Sequence, residues 1–300
     1  MTKTAFIFPG QGGQYVGQAA DWLERDEEAA SLFSLAEEIT QKPLKKLCLE
    51  GPIEELSKTS NLQPAVLAVS MAASFRLIKQ GSQPDYAAGH SLGEFGALVL
   101  AKVISAKEAF ALITRRAELM QKASEDQSGC MSAVLNLPAK TVEAICELAR
   151  NEGQIAAANF NAPLQTVISG QPRAVAAAKR YAELKGGKIV PLQVSGAFHS
   201  PLMAAAALSF EKDLDQIEFK TPIFPVVPNS LGRPVSDAPT LLKYLKTQMI
   251  SPVRWTETIS GLISAGVSEF LECWPKPYLA SIIKKNLSSG STKIEIKSTS

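Results

Sequence analysis

The chain has 300 residues, 46% of them apolar and 20% charged, with a formal net charge of +2. That apolar share sustains a sizeable core and excludes a wholly disordered chain, while the length allows two domains of roughly 100–200 residues each. The charge is too close to balance to argue for nucleic acid or an anionic membrane as a partner.

Residues 4–8 form a short apolar run stopped by Pro9-Gly10, which reads as a buried first strand feeding the turn Gly10-Gln11-Gly12-Gly13. This break comes too early for a signal-peptide core, and no apolar run reaches about 18 residues. A cytoplasmic protein without a spanning helix is expected. Helices are predicted over 19–24, 29–39 and 65–80, the last behind Asn61-Leu62-Gln63-Pro64. A strand over 84–88 runs into Gly89-His90-Ser91-Leu92-Gly93 and a helix to about 103; another helix covers 106–123. Strands alternating with helices predict a parallel α/β sheet.

Residues 128–194 follow a different order. Strand 131–135, helix 139–150, strands 155–160 and 165–169, helix 173–184 and strand 188–194 read as βαββαβ. That is the order of a ferredoxin-like unit. A small subdomain at 128–194 is therefore expected within a larger one made of 1–127 and 195–300. Beyond it come a helix after Pro201, a strand at 225–227, helices at 241–249 and 255–265, and a strand near 269–272. The polar tail 288–300 carries no assignment.

Cys48, Cys130, Cys146 and Cys273 lack metal-ligand spacing, and only two histidines exist. This argues against a zinc site and against a disulfide framework. Any imidazole chemistry falls to His90 or His199.

Gly89-His90-Ser91-Leu92-Gly93 fits G-x-S-x-G between a strand and a helix, the setting of a nucleophile elbow. The helix behind it aims free N–H groups at the same point. A Gly-rich helix cap fits the five residues as well. A nucleophilic serine needs a base. His90, next to Ser91 on a tight turn, is expected to point away from it, which leaves His199 in Gly196-Ala197-Phe198-His199-Ser200. No acid is evident beside His199, so a carbonyl is expected to fix its tautomer. A lone structural histidine is the plain alternative.

On a helical wheel of 106–123, Ala109, Leu112, Ile113, Leu119 and Met120 form an apolar arc with Arg116 near its centre. Arg115 falls on the opposite face with Glu108 and Lys122. An inward guanidinium cannot lose its proton and needs an anion: a buried Asp or Glu, or the carboxylate or phosphate of a ligand. The Gly10–Gly13 turn fails the dinucleotide fingerprint, because Tyr15 stands at the third glycine. It reads either as a plain turn or as half of an oxyanion hole.

These pieces occur in one order. Phe8-Pro9-Gly10-Gln11-Gly12, Gln63-Pro64-Ala65 and Gly89-His90-Ser91-Leu92-Gly93-Glu94 are followed by Arg116 with Met120-Gln121. Asn159-Phe160-Asn161 with Pro163, Gly196-Ala197-Phe198-His199-Ser200, and Gln248 with Pro252-Val253 and Trp255 complete the series. The set resembles the malonyl-CoA:acyl carrier protein transacylase family, which serves fatty-acid synthesis or, as discrete trans-acting acyltransferases, polyketide synthases.

The resemblance implies an α/β hydrolase-like large subdomain and a ferredoxin-like small one. It implies Ser91 as nucleophile, His199 as base, and the Gln11 and Leu92 N–H groups as oxyanion hole. Arg116 would clamp the malonyl carboxylate, Gln248 would position His199, and the bulky Phe198 would set selectivity. Malonyl-CoA and an acyl carrier protein would be substrates, with no metal or redox cofactor. Trp274-Pro275-Lys276 departs from the family, which has Gly-Pro-Gly there. Carrier docking would draw on Arg173, Lys179, Arg180, Lys185 and Lys188. Two rivals are a serine acyl hydrolase of carrier-bound chains and a noncatalytic carrier-docking module. Arg116 opposes the first, since a simple acyl group gives it nothing to bind. The complete set of Ser91, His199 and Arg116 opposes the second.

Overall fold

Strand β1 (Lys3–Phe8) is buried over five of its six residues, as a central strand covered on both faces must be. The computed structural model describes residues 2–287 and 294–299. After β1 come α1 (Ala20–Arg25), α2 (Glu27–Thr40), α3 (Leu44–Glu50), α4 (Ile53–Leu56) and α5 (Thr59–Lys79). Asp26 caps α2 by accepting from the Glu28 and Ala29 N–H groups. Helix α5 starts six residues before the predicted 65 and keeps Pro64 inside it. Proline removes one ladder bond there, but Leu62, Gln63 and Pro64 are all buried, and packing outweighs the loss.

Strand β2 (Tyr86–Gly89) leads into α6 (Gly93–Leu100), then α7 (Ala106–Asp126), which opens with a Ser105–Glu108 capping box. The next segment holds β3 (Cys130–Leu135), α8 (Ala139–Ala149), β4 (Ile155–Ala162), β5 (Gln165–Gly170), α9 (Pro172–Leu184) and β6 (Lys188–Pro191). The chain closes with α10 (Ala204–Leu214), β7 (Val226–Val227), α11 (Ala238–Lys246), α12 (Trp255–Ser264), β8 (Val267–Glu272), α13 (Ala280–Asn286) and β9 (Glu295–Ser298).

Two sheets result. The large one has order β7-β2-β1-β8-β9, parallel throughout. Phe6 and Phe8 point into a core with α5, α6 and α7, while Ala5 and Ile7 point into one with α12 and α13. The small sheet has order β4-β5-β3-β6, antiparallel throughout. Helices α8 and α9 cover one face of it through Val142, Ile145, Ala174 and Ala178. Met131, Ala133 and Val167 on its other face join the main core. The α/β fold with a ferredoxin-like unit is as expected.

Two element predictions need correction, and four elements escaped the sequence reading. The helix predicted at 241–249 begins at Ala238 and ends at Lys246, and Gln248–Ile250 is a separate 3₁₀ turn. The strand expected to reach 194 stops at Pro191. Helices α3, α4 and α13 are too short to show a period. Strand β9 lies in the unassigned tail, where Ile294 and Ile296 pack against the core and Thr299 is buried; residues 288–293 and 300 of that tail lie outside the described residues. Among the described residues no helix is long and apolar enough to cross a membrane, and no three His, Cys, Asp or Glu side chains gather as a metal site.

Candidate active site

The parallel register pairs Phe8 with Gly89, so β1 and β2 end side by side and their following loops share one rim. The chain then turns sharply. Ser91 has φ 53°, a left-handed conformation that a non-glycine residue holds at a cost of about 1–3 kcal/mol. The turn closes because its glycines have no side chain. A Cβ on Gly89 would lie 1.9 Å from the Gly93 carbonyl carbon, and one on Gly93 would lie 2.3 Å from the Phe8 carbonyl oxygen. His90 points away, as expected: its Nε2 lies 2.9 Å from Asn161 Oδ1, and its ring packs edge-on against Trp255.

His199 Nε2 lies 2.8 Å from Ser91 Oγ. Its Nδ1 lies 3.0 Å from the Gln248 carbonyl oxygen and 3.1 Å from that of Ser251. Carbonyls only accept, so Nδ1 carries the proton and Nε2 faces the serine as a bare acceptor. Two backbone carbonyls stand where an acid would orient the base in other serine enzymes. His199 is 3% exposed with φ 56°. Burial, and secondly the Arg116 charge, push its pKa from 6.5 down to about 3. The imidazole is therefore neutral at any ordinary pH.

Arg116 is 1% exposed on the apolar side of α7, while Arg115 is exposed and pairs with Asp213. The wheel separated these two neighbours correctly. The partners are unexpected. Nη1 donates to Gln63 Oε1 at 2.6 Å, and Nε and Nη2 donate to Gln248 Oε1 at 3.2 and 3.0 Å. Nη2 also lies 3.3 Å from Ser91 Oγ. Among the described residues no carboxylate lies within 4 Å of this guanidinium. Burial pushes its pKa down to about 10, so it stays charged at neutral pH. It is a desolvated cation held by two neutral amides beside the serine.

Gln248 works through both of its parts. Its backbone oxygen accepts from His199, and its side chain links Arg116 to Glu94, with Nε2 donating to Glu94 Oε2 at 2.8 Å and to the Ser91 carbonyl at 3.1 Å. Glu94 is buried, which pushes its carboxyl pKa upward against the amide donors that draw it down. Asn229 completes the frame. Its Oδ1 accepts from the Ser91 N–H at 2.7 Å, and its Nδ2 donates to the Gly89 carbonyl at 2.8 Å and to Glu94.

Asn229 escaped the sequence reading. Its only signal is its place after the short buried strand β7, at the carboxyl end of a parallel sheet, where ligands gather. Gln63 and Glu94 were visible within motifs, but nothing in the sequence said what they hold.

Gln11, Ser91, Phe198 and His199 line one cleft of about 310 Å³, with Asn159 and Val167 of the small sheet as the opposite wall. The Leu92 N–H follows Ser91 directly. Among the described residues neither the Gln11 nor the Leu92 N–H has an acceptor, so both are free to receive an oxyanion. Arg173, Lys179, Arg180, Lys185 and Lys188 are exposed and line none of this cleft.

Comparison with known proteins shows the family and the fold. Residues 5–299 match the acyl transferase domain model. A malonyl CoA-acyl carrier protein transacylase of Bacillus subtilis (strain 168) is 38% identical over 287 residues, covering 95% of this chain and 90% of the relative. An acyl carrier protein S-malonyltransferase structure from Vibrio cholerae superposes with TM-score 0.93 at 36% identity, covering 99% of this chain and 96% of that one. A malonyl-transacylase solved in complex with its type II PKS acyl-carrier protein superposes with TM-score 0.92 at 35% identity, covering 99% and 95%.

Proposed function

The chain belongs to the acyl transferase domain family, and from that premise we propose that it moves a malonyl group from malonyl-CoA to the phosphopantetheine thiol of an acyl carrier protein. One observation carries the substrate assignment. Arg116 is a buried cation 3.3 Å from Ser91 Oγ, with no carboxylate within 4 Å among the described residues. Glu94 acts on Arg116 only from beyond Gln248, and a dicarboxylic acyl group attached to Ser91 supplies an anion in direct contact.

His199 Nε2 takes the Ser91 proton as Oγ attacks the thioester carbonyl. The resulting oxyanion is met by the Gln11 and Leu92 N–H groups. Collapse breaks the C–S bond, and the imidazolium returns its proton to the departing coenzyme A sulfur. The malonyl-serine ester is then attacked by the carrier thiol, which His199 deprotonates. Its proton passes back to Ser91 Oγ as the ester opens. Both half-reactions use one base and one oxyanion site, as a ping-pong scheme requires. The thioester is already activated for acyl transfer, so the scheme asks for no resident cofactor.

The same reading takes 128–194 as the small subdomain and 1–127 with 195–300 as the catalytic one. In its support, the antiparallel sheet and its two helices all fall within the first range. It also places the enzyme in the cytoplasm, where coenzyme A thioesters and carrier proteins are made. A carrier-bound acyl hydrolase would offer Arg116 no carboxylate beyond its two amide partners. Intact-mass measurement after mixing with malonyl-CoA tests the proposal. A malonyl adduct on Ser91 that moves to holo carrier protein is the expected result. An adduct that only hydrolyses, or equal loading from acetyl-CoA, overturns it.

A further inference from the structure

The Gln11–Tyr15 loop has glycine at two of its five positions and cannot hold itself by side-chain packing. Trp274 and Lys276, of the segment that departs from the family pattern, and Tyr278 just beyond it hold the loop from outside. The Tyr278 hydroxyl donates to the Gln11 carbonyl at 3.0 Å. Trp274 Nε1 donates to the Gly13 carbonyl at 3.2 Å. The Lys276 ammonium sits 4.0 Å above the centre of the Tyr15 ring.

Tyr278 lies directly on the double glycine: a Cβ on Gly12 would stand 2.3 Å from its hydroxyl, and one on Gly13 would stand 3.0 Å from its ring. The Gln11–Gly12 peptide is tied at both ends, since the Gly12 N–H donates to Gln14 Oε1 at 2.8 Å. With that plane fixed, the Gln11 Cα is held on its carbonyl side, and the Gln11 N–H, which belongs to the preceding Gly10–Gln11 peptide, projects from a fixed pivot.

The tyrosine is itself held by a buried carboxyl group that the acyl-transfer scheme does not use; burial pushes the carboxyl pKa upward against the three N–H donors that draw it down. Glu272, at the end of β8, is 0% exposed, and among the described residues no basic side chain lies within 4 Å of it. Its carboxylate accepts from three successive N–H groups: Tyr278 at 3.0 Å, Leu279 at 2.7 Å and Ala280 at 3.1 Å. A carboxylate gripping three amides at the start of α13 fixes where the Tyr278 ring must lie.

We propose that Tyr278 is a positioning residue for acyl transfer, with its hydroxyl holding the Gln11 carbonyl and so the Gln11 Cα from which the N–H projects toward the oxyanion, and that Glu272 sets Tyr278. This rests on the assignment of Gln11 as an oxyanion donor. Preorganised donors act only in the transition state, so their loss lowers kcat and leaves substrate binding alone.

Tyr278→Phe keeps the ring on the glycines and removes only the hydroxyl. The expected result is a fall of about five- to tenfold in kcat for malonyl-CoA acylation and for transfer to the carrier alike, with KM for malonyl-CoA and the melting temperature nearly unchanged. Glu272→Gln should lower kcat in the wild type and add less than its full factor in the Tyr278→Phe background. If the Glu272 variant does not fold, Tyr278→Phe decides alone. Wild-type kcat in both half-reactions of Tyr278→Phe overturns the proposal. So does a raised KM with unchanged kcat, which would make Tyr278 a substrate contact. Failure of the wild type to acylate Ser91 would instead overturn the functional reading itself.

Discussion

Ser91 is activated by geometry that spans 108 residues of sequence, and removing its hydroxyl tests that geometry most simply. Ser91→Ala should show no malonyl adduct by intact mass and melt within a few degrees of wild type, since one hydroxyl on a half-exposed turn contributes little.

Arg116 carries the sharper prediction. Stranding one partner of a desolvated charge pair costs roughly 3–5 kcal/mol, or hundreds- to thousands-fold in rate. The wild type should prefer malonyl- to acetyl-CoA by about that factor in kcat/KM, and Arg116→Gln should collapse the preference. Arg115→Ala, which loses only a surface pair with Asp213, should not. Phe198, buried beside the base, should disfavour the extra methyl of methylmalonyl-CoA by a smaller factor.

The pH profile follows with its sign. The base form of His199 is neutral, and burial and Arg116 both lower its pKa, to about 3. The acid limb of kcat/KM therefore lies well below 6.5. Arg116→Gln removes a charge that opposes the imidazolium, so the limb moves upward in pH. A limb that stays fixed separates the two residues electrostatically.

At the scale of elements, the ends of β1, β2 and β7 place Gln11, Ser91 and Asn229, while α7 and α5 bring in Arg116 and Gln63. The amphipathic helices were readable because their faces repeat. Arg116 was found this way, as an exception inside a regular pattern. The G-x-S-x-G turn was readable because only glycine tolerates the closeness seen at Gly89 and Gly93. What could not be read were contacts between distant loops. Nothing local marks Asn229 as the residue that ties Ser91, Gly89 and Glu94 together. Nor does the sequence show that Gln248 serves Arg116 with its side chain and His199 with its backbone, because that needs the 3₁₀ turn which replaces the end of the predicted helix. Asn229→Ala takes the side-chain partner from the Ser91 N–H and the Gly89 carbonyl and one of three donors from Glu94. The expected cost is about 2–5 kcal/mol, and the melting temperature should fall by about 5–15 °C. Thermal denaturation checks it; a shift under ~2 °C would mean that the loop is held by other contacts.

For the whole molecule, the cleft exists because the small sheet is stitched to the large body along β4. The Phe160 N–H donates to the Val253 carbonyl at 2.8 Å, and the Val253 N–H donates to Ala158 at 2.8 Å. Asn161 adds the His90 contact and an Asn286 hydrogen bond. One wall of the cleft is thus fixed to the elbow, while α9 lies on the face of the small sheet turned outward. Arg173, Lys179 and Arg180 are exposed on α9 and Lys185 directly after it, while Lys188 is exposed on β6 at the sheet's other face, opposite Leu135. Lys179 has a distant partner in Glu183 at 3.9 Å, whereas among the described residues the other four have no carboxylate within 4 Å. Helix α9 buries an alanine-rich face through Ala174, Ala177, Ala178 and Ala182, so its charged face is free of structural duty. An acidic carrier is the partner that such a face suits, and steering by it raises the encounter rate more than the chemistry. Arg173→Glu with Arg180→Glu should raise the apparent KM for carrier protein by about three- to tenfold at low salt and leave malonyl-CoA acylation unchanged. Added salt should weaken carrier use by the wild type and narrow the gap between the two proteins. An unchanged carrier KM at low salt would move the docking surface away from α9, leaving its cations as a solvated helix face.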